Sequence, residues 1–103
     1  MVIANMQIDH EKLAGFCRRH RIRKLSFFGS VLRGDFAPQS DIDVLVEFEA
    51  GQETGLLGLA GMELELGCLL GTNRRVDLRT PEDLSRYFRE QVLKTAEVEY
   101  ASR

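Results

Sequence analysis

Two aspartates, Asp41 and Asp43, stand one residue apart, and ten residues separate them from a Gly29-Ser30 pair. Carboxylates at i and i+2 of one strand project to the same face with Cα atoms ~6.5–7 Å apart, a spacing across which side chains converge on one or two divalent cations. Mg2+ suits such a set because it prefers oxygen ligands, keeps some waters and takes one or two carboxylates together with substrate phosphates. Two ions ~3.5–4 Å apart clamp the attacking and leaving oxygens of an in-line displacement. Gly29 lets the backbone approach a phosphate, and Ser30 adds a hydroxyl and an N–H where a short helical segment is expected to begin. Arg33 offers a charge-assisted bond to the same phosphate, and is equally well placed to pair with Asp35 or to stay solvated. Asp77, in the short segment Arg75-Val76-Asp77-Leu78, is the candidate third carboxylate. There it could ligate an ion and help take a proton from an attacking hydroxyl, or merely cap a turn. The chemistry indicated is metal-assisted phosphoryl transfer.

The elements needed to hold these residues are legible around them. Ile22 to Phe28 reads as a strand before the Gly-Ser turn, and Pro38 is expected to end the excursion that follows. In the next strand Ile42, Val44, Val46 and Phe48 share one face, which leaves Asp41 and Asp43 on the other. Asp9 is a good N-cap, with Ile8 and Leu13 as a hydrophobic staple, so a first helix is expected from Asp9 to His20 with Leu13, Phe16 and Cys17 on its apolar face. Leu56 to Leu70 reads as a helix in spite of Gly58, Gly61 and Gly67, each costing ~1 kcal/mol relative to Ala, a cost that close packing would offset. It is assigned to the core, with one apolar face left over for a partner. Thr80-Pro81-Glu82-Asp83 is a helix start, and a last helix is expected from Pro81 to about Ala101. The order α-β-α-β-α-β-α implies an α/β or α+β domain, a small mixed sheet with helices packed on it.

Composition narrows the function classes. The chain has 103 residues, 44% hydrophobic and 29% charged, with net charge −2, as expected for one ordinary soluble domain with no global pull toward nucleic acid or anionic lipid. No Lys or Arg lies between Gly34 and Asn73, where Asp35, Asp41, Asp43, Glu47, Glu49, Glu53, Glu63 and Glu65 all fall. That field favours a cation, although most of these Glu are expected to be solvated surface. The run Arg18-Arg19-His20-Arg21 with Arg23 and Lys24 is read as complementing a helix end, because no aromatic residues interleave it to stack bases. Cys17 and Cys68 lack any Cys-x-x-Cys or Cys/His spacing, which points to reduced, mostly buried thiols and a cytoplasmic setting. His10 and His20 are read as surface residues. Nothing resembles a signal peptide, and no apolar stretch approaches the ~20 residues of a membrane helix. Gly29 and Gly34 mimic the first part of a Walker A loop, but its Lys position holds Asp35, so a P-loop is excluded.

Gly29-Ser30-x-x-Arg33-Gly34 with Ser40-Asp41-Ile42-Asp43-Val44-Leu45-Val46, a hydrophobic strand on either side and a later lone Asp resembles the DNA polymerase β-like nucleotidyltransferases. More narrowly, it resembles their minimal nucleotidyltransferase (MNT) members, over about residues 20 to 100. One departure is Leu32, where many members carry Ala. The resemblance implies a polymerase β-like palm, with Gly29 and Ser30 on the nucleotide phosphates, Asp41 and Asp43 on Mg2+, and Asp77 as third acid. The implied reaction is transfer of a nucleoside monophosphate, AMP from ATP, to a hydroxyl with pyrophosphate leaving. Many such proteins are antitoxins of toxin-antitoxin pairs that neutralise a helical HEPN ribonuclease, by binding it or by adenylylating a tyrosine. Larger relatives add domains that grip the acceptor, and a chain this short leaves that task to a partner, a homo-oligomer mate or a macromolecular substrate. The alternatives are a non-catalytic binding antitoxin, and transfer to a small molecule or nucleic acid.

Overall fold

The computed structural model describes residues 2–3, 6–32, 41–52, 55–71 and 74–102. The carboxylate of Asp9 starts the first helix by accepting the amides of Glu11 and Lys12 at 3.0 and 3.2 Å. This helix, α1 (His10–Arg19), buries Leu13, Phe16 and Cys17 and ends on Arg18 and Arg19, which complement its dipole. It follows a short antiparallel pairing of β1 (Val2–Ile3) with β2 (Met6–Gln7), a hairpin that two-residue strands do not announce in sequence.

Four strands make the main sheet, in the order β5-β4-β3-β6. The central pair is β3 (Ile22–Phe28) and β4 (Ile42–Phe48), antiparallel with Phe28 opposite Asp43. At one edge β5 (Val76–Arg79) runs parallel to β4, and at the other β6 (Glu97–Ala101) runs antiparallel to β3. Alternation along β4 explains the layering. Ile42, Val44 and Val46 join α1 and the helix α2 (Leu56–Leu70) in the larger core, whereas Leu45 points the other way into a second core with Phe28, Leu84 and Val92. The helix α3 (Arg86–Thr95) contributes Val92 to that second face. Asp43, an odd-numbered neighbour of Leu45, therefore belongs to the α3 side. The mixed sheet with helices on it is as the sequence implied.

The end of the chain departs from the single helix expected over Pro81 to Ala101. A 3-10 turn at Pro81–Asp83 stops at Leu84, whose extended backbone carries its side chain into the second core. Ser85 then caps a fresh helix by accepting the Phe88 amide at 3.2 Å. Glu97-Val98-Glu99-Tyr100 alternates with period two and fills the open edge of β3, with Tyr100 packed on the main core. The strand after α3 and the N-terminal hairpin replace the α-β-α-β-α-β-α order.

Helix α2 has the expected bounds, and Met62, Leu66 and Leu70 reach the core, yet Leu57 and Leu64 are largely exposed. Close packing does not account for its Gly61, since a Cβ there would meet nothing within 4 Å, and at Gly67 it would make only ordinary contact with Val76 at 3.8 Å. Not all acids of this region are solvated surface. Glu63 accepts the Leu78 amide of the edge strand β5 at 2.8 Å, and Glu65 binds both Arg19 and His20. His20 is consequently half-buried rather than a free surface residue, and its ring packs at 4.7 Å from Phe16. Cys17 is buried, which pushes its thiol up to about 12, whereas Cys68 is exposed and departs from the expectation of mostly buried thiols. Among the described residues no helix is long and apolar enough to cross a membrane.

Candidate active site

The ends of three adjacent strands bring Gly29, Asp43 and Asp77 together. Gly29 leaves β3 with φ +75°, and a Cβ built on it would lie 2.4 Å from Oδ2 of Asp43. Any side chain there would have to displace that carboxylate, so the glycine is required both by its backbone and by its neighbour. Asp43 in turn pairs in register with Asp77 across the parallel β4–β5 ladder. Strands in such a ladder lie ~4.8 Å apart, and residues in register project to the same face. Two carboxylates on neighbouring strands thus face the α3 side of the sheet at its end, beside a glycine turn.

The cleft above them has a volume of about 460 Å³ and is lined by Phe28, Gly29, Asp43, Asp77, Arg79, Asp83, Leu84, Ser85 and Phe88. A larger cleft of about 640 Å³, around the Arg23–Glu47 ion pair, contains none of the three aspartates. Within the smaller one, Arg79 donates from Nε and Nη2 to Oδ2 of Asp77 at 3.3 and 3.1 Å. The guanidinium is held charged above its ordinary value, first by its hydrogen bond to Asp77, then by the charges of Asp77, Asp83 and Asp43. Asp77 binds the cation directly, whereas Asp83 and Asp43 act on it through charge alone. Behind them, Asp83 accepts the backbone amide and the hydroxyl of Thr80 at 3.2 and 3.1 Å, and Arg89 donates to the carbonyls of Pro81 and Leu84 at 2.6 and 3.2 Å. These bonds hold the segment from β5 to α3 in place as one wall of the cleft.

Of the residues singled out in sequence, Gly29, Asp43 and Asp77 line the cleft, while Asp41 stands exposed immediately before β4 and is not part of the lining. Ser30 lies in the 3-10 turn Gly29–Leu32 that follows β3, as the expected short helical segment, and its side chain lies outside what is described. Arg33, Gly34, Asp35, Pro38 and Ser40 lie outside the described residues altogether. The donor set suits a hard divalent cation, because every candidate ligand is a carboxylate oxygen. Among the described residues, however, no three His, Cys, Asp or Glu side chains are gathered closely enough to hold a metal, consistent with the carboxylate of Asp77 being turned onto Arg79. Arg79, Asp83, Leu84 and Phe88 were not anticipated. Arg79 had a signal, being two residues beyond Asp77 on the same strand and hence on the same face. Phe88 had none until the break at Leu84 and Ser85 is known.

Comparison with known proteins gives this geometry a setting. The model of the nucleotidyltransferase domain matches residues 10–100. A protein of Thermococcus cleftensis, the protein adenylyltransferase MntA, is 38% identical over 76 residues, covering 74% of this chain and 73% of that protein. A solved structure provisionally described as a minimal nucleotidyltransferase superposes with a TM-score of 0.67 at 41% identity, covering 84% of this chain and 85% of the other. The crystal structure of a toxin-antitoxin with AMP-PNP superposes with a TM-score of 0.70 over 93% of this chain and 76% of that one. At 18% identity, the last likeness is one of fold.

Proposed function

The chain belongs to the nucleotidyltransferase domain family, and on that premise we propose that it transfers AMP from ATP to a hydroxyl of a partner protein, a tyrosine of a HEPN-type toxin, as an antitoxin. The observation that carries this reading is the in-register pair Asp43 and Asp77 beside Gly29, at the end of the sheet. In the proposed site the turn Gly29-Ser30 holds the triphosphate, approached closely because Gly29 has no side chain, with Arg33 as a further phosphate contact. Asp41, Asp43 and Asp77 would hold Mg2+, with Asp77 released from Arg79, and the ion would neutralise charge on the transferring phosphoryl group. Asp77, at the edge strand, accepts the proton of the acceptor hydroxyl as its oxygen bonds to the α-phosphorus and the bond to pyrophosphate breaks. The excess of carboxylates would repel a triphosphate without a cation, so nucleotide binding should require a divalent ion.

The adenylyltransferase name of the T. cleftensis relative and the toxin-antitoxin likeness support a protein acceptor over a small molecule or nucleic acid. Co-expression with a helical HEPN-type protein, followed by mass spectrometry of that partner, tests the reading. The expected result is a partner heavier by AMP on one tyrosine. An unmodified partner that is nonetheless neutralised would instead support inhibition by contact alone. One observation favours that second reading, namely that the carboxylate of Asp77 is already occupied by Arg79.

A further inference from the structure

The cleft is chemically two-sided. Its sheet end carries Asp43 and Asp77 with Phe28 beside Asp43, and the segment from Asp83 to Phe88 lines it with the buried Leu84, the polar Asp83 and Ser85, and Phe88, which is 49% exposed. Phe88 is not a loosely attached surface side chain. Its amide is bonded to the Ser85 cap, and the turn before it is clamped by Arg89 on Pro81 and Leu84. A half-exposed aromatic ring on a fixed helical turn, inside a cleft of about 460 Å³, lies in the size range of small-molecule sites, which is about 300–1,000 Å³. We propose that Phe88, backed by Leu84, is the stacking platform for the nucleobase of the bound nucleoside triphosphate.

This rests on the reading that the Gly29–Asp43 end holds the triphosphate. A nucleotide is itself two-sided, anionic at one end and flat and heteroaromatic at the other. Its base is tethered to the phosphates, so an aromatic ring lining the same cleft as the carboxylate end is within its reach. Among the described residues the cleft lining includes no Asn or Gln, and of its polar side chains Arg79 is bonded to Asp77 and Asp83 to Thr80. The ring would therefore grip the face of the base, which all bases share, giving affinity with little discrimination between ATP and GTP.

Titration calorimetry on the full chain with Mg2+, using ATP, GTP and inorganic tripolyphosphate, tests this. Wild-type protein should bind both nucleotides at least about 10-fold more tightly than tripolyphosphate, and Phe88→Ala should remove most of that difference while leaving tripolyphosphate affinity unchanged. The chain has no Trp, so Phe88→Trp supplies a single indole fluorophore, which ATP should quench and tripolyphosphate should not. If both ligands bind but the Phe88→Ala preference matches wild type, or the indole emission of the Phe88→Trp protein ignores ATP, the platform is wrong and the phosphate site stands. If neither ligand binds wild-type protein, the nucleotide reading fails and the platform with it. Phe88 is half-exposed, so Phe88→Ala should fold, as circular dichroism would verify.

Discussion

Gly29 and Asp43 share a space that admits only one side chain: a Cβ on the glycine would lie 2.4 Å from the aspartate Oδ2. The positive φ of Gly29, +75°, adds backbone strain for any other residue. Gly29→Ala should therefore displace the Asp43 carboxylate, cost about 1–3 kcal/mol of stability and lower transfer by roughly 100-fold or more. Thermal melts and initial rates check both parts. A Gly29→Ala enzyme with wild-type rate would show that the position of this carboxylate is irrelevant.

Arg79 competes for the cleft. Its guanidinium occupies Oδ2 of Asp77 and is held charged by three aspartates, so a divalent ion using Asp77 must displace it. Arg79→Gln should tighten Mn2+ or Mg2+ binding several-fold, measured by calorimetry without nucleotide. Unchanged or weaker metal binding would mean that Asp77 takes no part in holding the ion.

Away from the cleft, Glu65 joins α1 to α2 through Arg19 and His20. Its carboxyl is held below the ordinary value of 4.5, first by the Arg19 hydrogen bond and then by that of His20. A depressed folded pKa means that the unfolded chain binds more protons, so this contribution is present above the ordinary Glu range and lost as pH falls through the folded value. The Tm difference between wild type and Glu65→Gln should accordingly be full at neutral pH and shrink as pH falls below the ordinary value of 4.5. Because the cluster is only partly buried and Arg19 is exposed, the effect should be small, and a difference independent of pH would rule out the ion pair as its source.

Much of the positioning framework was readable because it is local. The Asp9 cap, the strand Ile22–Phe28 and the helix Leu56–Leu70 are each announced by their own residues, and alternation along Ile42–Phe48 separates the carboxylate face from the core face. What escaped depends on pairing across the fold. β6 follows α3 after Ala96 alone, with no Gly or Pro to signal the change, and is a strand because the edge of β3 is open to it. The Phe88 wall arises only because the chain breaks at Leu84, whereas the Arg79–Asp77 pair, two residues apart on one strand, is local. Sequence could nominate Asp43 and Asp77 separately, and the parallel register is what makes them neighbours.

The central claim is that the Asp43–Asp77 pair performs nucleotidyl transfer, and one measurement tests it most directly. Wild-type protein and Asp43→Asn, each incubated with the co-expressed partner, Mg2+ and α-labelled ATP, should differ by at least about 100-fold in label incorporated, with equal melting temperatures within a few degrees. Undiminished labelling by a folded Asp43→Asn protein would contradict the account.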